Sequence, residues 1–212
     1  MLKPKINYDI QQGSDEWFAA KVGKPSASNA SRLVTSTGQP SKSMIGYAQE
    51  LGAEMFAGKS LNEWAGNAAT EFGKNTEEEA RLAYSMLADY EVIQCAFIED
   101  GLQQCIISPD GLISDPENGD GLLEIKCKPK HHLTTLLYYK KNGRIPPDYI
   151  AQTQFQLLIS ERAWCDLYYY SKELPCLCVR QYPDPKIFDA LTQQLLAVIA
   201  ERNLIYKQLK EF

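Results

Sequence analysis

Along the chain the apolar positions change their period several times, and those changes mark out the elements. Over residues 42–57 and again over 66–88 they recur at three- and four-residue steps, as in helices with one apolar face; the second stretch is rich in Ala and Glu. Residues 90–98 and 103–108 are patterned as strands, and Glu99-Asp100-Gly101-Leu102 between them reads as a hairpin turn. A Gly-, Asp- and Pro-rich turn at 111–121 leads into a third strand, Leu122 to Cys127. Pro146-Pro147 cannot continue a helix, and Asp148 is placed to cap a new one running to about Ser160. Strands at 166–170 and 177–182 follow. The chain closes with an amphipathic helix carrying Phe188, Leu191, Leu195, Val198 and Ile199 on one stripe. The order is helices, three strands, helix, two strands, helix, which predicts an α/β fold with a mixed β-sheet flanked by helices.

Composition narrows the class. The 212 residues, 44% hydrophobic and 23% charged, suit one globular domain spanning 1–212. No window approaches the roughly 18 apolar residues of a membrane span. The opening Met-Leu-Lys-Pro-Lys-Ile lacks the apolar stretch of a signal peptide, so a cytoplasmic protein without membrane contact is expected. Of the six cysteines, Cys95, Cys105, Cys127 and Cys165 sit in or beside strand-like runs, where a thiol acts as a small hydrophobe. Cys176 and Cys178 form only a C-x-C, with no second pair to complete a zinc site.

The net charge of −5 hides an uneven distribution. No acid occurs from Trp17 to Gln49, which contains Lys21, Lys24, Arg32 and Lys42. None occurs from Ile125 to Pro147, which contains Lys126, Lys128, Lys130, Lys140, Lys141 and Arg144. Two basic tracts on an acidic protein fit a local phosphate-binding surface; solvated basic loops are the plainer reading.

The chemistry concentrates in Ser108-Pro109-Asp110-Gly111 and, fourteen residues after Asp110, Glu124-Ile125-Lys126. Asp110 ends one strand-like segment, and Glu124 and Lys126 share a face of the next because side chains alternate with period two. Two carboxylates and an ammonium at one sheet edge offer hard oxygen ligands suited to magnesium. Phosphodiester hydrolysis needs a metal to polarise the phosphate and activate water. Beside it Lys126 can orient or deprotonate that water, or neutralise charge on the phosphorane. Asp-Gly is also a common turn dipeptide, and Glu124–Lys126 can be read as a surface pair. Against that, Leu122, Leu123, Ile125 and Cys127 mark the strand as buried on both sides, where a charge needs a partner or a metal. In the helix 66–88, Glu77 shares the inward stripe with Ala80 and Tyr84; after Asp148, Gln152 lines up with Phe155 and Ile159.

Pro109-Asp110…Glu124-Ile125-Lys126 matches the PD-(D/E)xK nuclease signature. The wider pattern resembles the phage lambda exonuclease family of viral recombination nucleases. The resemblance rests on Gln12-Gly13-Ser14-Asp15-Glu16-Trp17, Lys21-Val22-Gly23 with Ser26-Ala27-Ser28, Phe72-Gly73-Lys74 with Glu77 and Ala80-Arg81, Cys105 with Ser108-Pro109-Asp110-Gly111-Leu112, and Tyr149-Ile150-Ala151-Gln152-Thr153-Gln154. These segments keep the family's order over roughly residues 10–170.

The resemblance implies a restriction-endonuclease-like core and a processive 5′-to-3′ exonuclease on double-stranded DNA ends that leaves 3′ single-stranded tails. It also implies two Mg2+ ions, replaceable by Mn2+, a homotrimeric ring and a single-strand annealing protein as partner. By position, Asp110, Glu124 and Glu77 become metal ligands, Lys126 acts on the water and Gln152 completes the site. Lys21, Ser28, Ser108 and His132 fall where the family holds the terminal 5′-phosphate. Two of these depart from the pattern: Lys21 stands for an arginine, losing the bidentate fork, and His132 stands for another. Two rival readings share the motif: a nicking or restriction-type endonuclease, and a DNA-end-binding recombination scaffold without catalysis.

Overall fold

A computed structural model describes residues 2–61, 68–127 and 129–212, without the side chains of 68–75 and 129–131. Lys128 and Lys130 of the second basic tract, and the Phe72-Gly73-Lys74 segment, therefore lie outside the described side chains.

Among the described residues eight strands form two sheets. The larger has the order β2 (Val92–Ile93), β5 (Gly111–Ile113), β6 (Gly121–Lys126), β7 (Trp164–Tyr169), β8 (Leu177–Gln181). Its one parallel pair is β6–β7, with Glu124 opposite Leu167, and the other pairs are antiparallel, so the sheet is mixed as predicted. The smaller sheet joins β1 (Lys5–Asn7), β3 (Phe97–Glu99) and β4 (Ile106–Ile107). The predicted strand 90–98 is thus two strands in different sheets, with Gln94, Cys95 and Ala96 between them. Gln12 Nε2 holds that switch by donating to the Cys95 carbonyl at 2.8 Å. The hairpin at 99–102 joins β3 to β4 as expected.

Among the described residues six α-helices surround the sheets: α1 (Asp15–Lys21), α2 (Met44–Ala57), α3 (Ala68–Ala88), α4 (Pro129–Asn142), α5 (Ile150–Ser160) and α6 (Pro185–Leu209). A 3-10 turn, Ala27–Arg32, packs against α5. Sheet alternation divides the core. Leu123 and Ile125 of β6 point to α3, packing with Ala80, Tyr84, Trp164 and Tyr168. Leu122 points the other way, into the larger cluster of Phe155, Leu157, Leu191, Leu195 and Val198 contributed by α5 and α6. Glu124 is two residues after Leu122 and therefore faces α5. The C-terminal helix buries Leu191, Leu195 and Val198 of the predicted stripe and crosses α2 at Gly52, where a Cβ would lie 2.8 Å from Ile205 Cγ2. Asp148 does not cap α5: it lies within a 3-10 turn, Pro147–Tyr149, that runs directly into the helix, and the N-cap position falls on Tyr149.

Candidate active site

β6 carries the centre. Its residues from Gly121 to Ile125 are all buried, and Glu124 is 4% exposed. A lone carboxylate at that depth would be costly, so its oxygens must be satisfied. Oε1 accepts from Lys126 Nζ at 2.5 Å and from Gln152 Nε2 at 2.6 Å, and Oε2 accepts from Gln156 Nε2 at 2.6 Å. Lys126 also donates to Gln152 Oε1 at 3.2 Å and lies 4.7 Å from the centre of the Tyr149 ring. Burial works against the charge on Lys126, but Glu124, by field and hydrogen bond, and then Asp110 outweigh it and raise its pKa. The lysine is an ammonium at neutral pH.

Asp110 stands just ahead of β5. Its N–H donates to the Leu123 carbonyl at 3.0 Å, and its Oδ2 accepts from the Ile125 N–H at 2.6 Å. Among the described residues none donates to Oδ1. The glycine after it is required by packing: a Cβ on Gly111 would lie 2.2 Å from Val92 Cγ1 of the neighbouring strand. Burial pushes the Asp110 carboxyl well above its ordinary pKa, and Glu124 and Glu77 push it further. Glu77 reaches the same region from α3, one helical turn before Arg81, whose Nη2 donates to its Oε1 at 2.8 Å. Burial raises the Glu77 pKa as well, Arg81 opposes that, and Glu124 adds to it. Asp110, Glu124, Lys126, Glu77 and Gln152 thus form one electrostatically linked group.

The donor chemistry fits a hard divalent cation. Burial first, and then the facing carboxylates, raise the pKa values of Asp110 and Glu77, and a cation bound between them would favour their charged forms. Among the described residues no three His, Cys, Asp or Glu side chains come together as a group that could hold a metal ion. Magnesium typically binds through one or two carboxylates and keeps several waters, so an open set is compatible with it.

The expected phosphate residues separate. Lys21 lies with its Nζ 3.3 Å from the centre of the Trp17 ring, and burial lowers its pKa to about 7 while Glu124 pulls it back up. With Ser28 it lines a cavity of about 260 Å³ beside Trp17. Ser28 also lines a second cavity of about 260 Å³ together with Lys126, Tyr149 and Gln152. Ser108 Oγ accepts from Trp17 Nε1 at 3.2 Å, which ties it to the Lys21 side of the site. His132 is the exception. It is 2% exposed on α4, its Nε2 lies 2.9 Å from the Pro175 carbonyl, and it packs against Tyr169, so in this structure it is closed to a phosphate. The basic tract 17–49 is partly neutralised, since Lys24 pairs with Glu99 and Arg32 pairs bidentately with Glu50 at 2.5 and 2.7 Å.

Two site residues carry no motif of their own. Gln156 follows Gln152 by one helical turn on the same face, and that spacing was the available signal. Arg81 was visible only as part of the Ala80-Arg81 segment. All six cysteines are free thiols; burial pushes Cys95 and Cys105 up to about 12, which leaves them unreactive.

An Asp at the start of one strand, a Glu-x-Lys on the next and a mixed sheet between helices define a nuclease of the PD-(D/E)xK type. Residues 16–163 match the model of the YqaJ-like viral recombinase domain, and the chain belongs to that family. It is similar to the alkaline exonuclease LHK-Exo of Laribacter hongkongensis, at 30% identity and a TM-score of 0.78 over 93% of this chain and 97% of that one. The same figures hold for LHK-Exo in complex with dAMP. A phage-related exonuclease from Haemophilus somnus 129PT shares the fold, at 14% identity and a TM-score of 0.66 over 88% and 96% of the two chains. No curated protein sequence matches the chain. Among the described residues no helix is long and apolar enough to cross a membrane.

Proposed function

We propose that this chain, acting as a single nuclease domain, is a magnesium-dependent exonuclease. It degrades the 5′-ended strand of double-stranded DNA processively, releases 5′-mononucleotides and leaves 3′ single-stranded tails for recombination. The observation that carries the reading is the grip on Glu124: one buried carboxylate held by Lys126, Gln152 and Gln156 beside Asp110. The similarity to an exonuclease whose structure contains dAMP, a mononucleotide, supports release of single nucleotides.

Asp110, Glu124 and Glu77 would hold the metal, with Mn2+ as an alternative to Mg2+. When bound, the metal polarises the scissile phosphate and lowers the pKa of a coordinated water. In the metal-free protein Glu124 and Asp110 hold the pKa of Lys126 up against its burial. Lys126 would orient or help deprotonate the attacking water, or neutralise charge on the phosphorane. Gln152 fixes the ammonium and the carboxylate together, accepting from one and donating to the other. Lys21, Ser28 and Ser108 line the side on which a terminal 5′-phosphate would be held. The working form would be a homotrimeric ring in the cytoplasm of a bacterial or phage-infected cell, partnered by a single-strand annealing protein.

Linear duplex with one 5′-phosphorylated and one 5′-hydroxyl end, digested with magnesium, tests activity, polarity and the phosphate together. Nucleotide release from the phosphorylated 5′ end is expected, and release from 3′ ends overturns the polarity. Covalently closed duplex should stay intact; nicking would make the protein an endonuclease, and binding without cleavage a scaffold.

A further inference from the structure

Arg81 has a place in the site that a helix-surface ion pair would not need. An exposed arginine pairing with Glu four residues earlier keeps its guanidinium in water. The Arg81 side chain is 11% exposed, less than the 34% of its partner Glu77. Its Nε donates to the main-chain carbonyl of Asp110 at 2.8 Å while its Nη2 holds Glu77. With the Gln94 amide turned to present its oxygen, that oxygen accepts from both terminal nitrogens at 2.9 and 3.0 Å. One planar fork thus ties α3 to the turn before β5 and to the switch between the two sheets. On its other side Asp110 is fixed to β6 through its N–H and its Oδ2.

We infer that Arg81 is a positioning residue that sets the orientation and separation of Glu77 and Asp110, and so the metal affinity and rate of the site. The inference rests on the magnesium-nuclease reading above. Only a guanidinium can serve all three acceptors at once, because a lysine ammonium lacks the rigid fork. Charge alone is then not enough, and Arg81→Lys should behave like Arg81→Met.

Calorimetric titration of Mn2+ into the full chain without DNA, together with single-turnover cleavage of phosphorylated duplex, tests this. Both variants should keep the wild-type Tm within a few degrees and bind Mn2+ about 10-fold more weakly or worse, as loss of a ligand-orienting group does. The cleavage rate should fall about 100-fold, the cost of a displacement near 1 Å, with KM for DNA ends nearly unchanged. Arg81→Met should add little to Glu77→Gln in the double variant. Wild-type metal affinity in Arg81→Met, rescue by Arg81→Lys, or fully additive losses in the double variant would overturn the inference. A wild-type protein that binds Mn2+ but cleaves no DNA overturns the nuclease reading instead, and the affinity comparison still decides the role of Arg81.

Discussion

Gln156 donates from Nε2 to Oε2 of Glu124 at 2.6 Å, while Gln152, one turn earlier on α5, holds Oε1 at the same distance. Gln156 is 1% exposed, and its own Oε1 lies 3.8 Å from Cys165 Sγ, so its amide has no freedom to turn. The pair fixes both oxygens of a carboxylate that sits between a sheet and a helix.

Replacing Gln156 with Leu leaves Oε2 buried without its donor. An unsatisfied buried group costs about 1–3 kcal/mol. In a chain of this length that lowers Tm by roughly 2–4 °C per kcal/mol, readable by thermal melting. The cleavage rate should also fall by about 10-fold, if Glu124 holds the metal as proposed, because its carboxylate is no longer oriented. A Gln156→Leu protein with wild-type Tm and rate would show that the contact does not hold Glu124.

Lys126→Ala removes the ammonium from the site while leaving the basic surface almost intact. Loss of one preorganised charge stabiliser typically costs about 10²–10³ in kcat. Magnesium-dependent nucleotide release should fall by that amount, while duplex binding measured in Ca2+ stays within about 2-fold. Undiminished release would remove Lys126 from the chemistry.

The burial of Glu124 is readable in the chain because Leu122, Leu123, Ile125 and Cys127 surround it with apolar residues on both strand faces. The inward stripes of Glu77 and Gln152 are readable because helical period brings them beside Ala80, Tyr84 and Phe155. The helix α4 is not. Its Leu133 and Leu137 are 52% and 58% exposed, and among its described side chains the buried ones are His132 and Thr135, which no hydrophobic pattern marks. The resemblance alone places His132 at a phosphate position, and a sequence position says nothing about whether a polar ring faces solvent or, as here, the core. The strand β5 hides in turn-like composition, three residues long and begun by a glycine that packing demands. The neutralising partners of the first basic tract, Glu99 and Glu50, lie outside it in sequence, so the charge pattern overstates its field.

Asp110 gives a pH dependence whose sign is fixed by its surroundings. Its folded-state pKa stands well above the ordinary 3.8, chiefly from burial and then from Glu124 and Glu77. The folded metal-free protein therefore binds this proton more tightly than the unfolded chain. The corresponding stability is present below the unfolded pKa and is lost as pH rises through the folded one. Metal-free melting should show that decline, and Asp110→Asn should show less of it, since the raised pKa of Glu77 contributes with the same sign. Magnesium competes with the proton, so the rise in Tm on adding Mg2+ should grow with pH in the wild type and be small in Asp110→Asn. A magnesium shift that is the same at acid and neutral pH contradicts the assignment of Asp110 as a ligand.

Lys42, Lys140 and Lys141 are exposed and form no ion pair among the described residues, unlike Lys24 and Arg32. If they line the passage for duplex DNA, reversing them to Glu should shorten degradation runs measured against a trap of excess competitor DNA. It should also lower the salt slope of binding by about one for each phosphate the protein no longer neutralises. Run lengths equal to wild type would place the DNA path elsewhere.

If Lys21 holds the terminal 5′-phosphate as proposed, recognition of that phosphate depends on pH. Burial beside Trp17 lowers its pKa from 10.5 to about 7, with Glu124 pulling the other way. Below about pH 7 the free enzyme presents an ammonium to the terminal phosphate, and above it a neutral amine. The preference for 5′-phosphorylated over 5′-hydroxyl ends, taken as a ratio of kcat/KM, should therefore shrink by about 10-fold between about pH 6 and about pH 8. Arginine keeps its charge throughout, so Lys21→Arg should hold the preference flat over that range. Lys21→Met should show a low preference with no pH dependence. Stability carries the same signature with its own sign: between about 7 and 10.5 the unfolded chain holds a proton that the folded one has released, so Lys21 makes folding more favourable as pH rises through that window. A preference that stays constant with pH in the wild type, or falls equally in Lys21→Arg, would separate Lys21 from the phosphate and leave Ser28 and Ser108 to hold it.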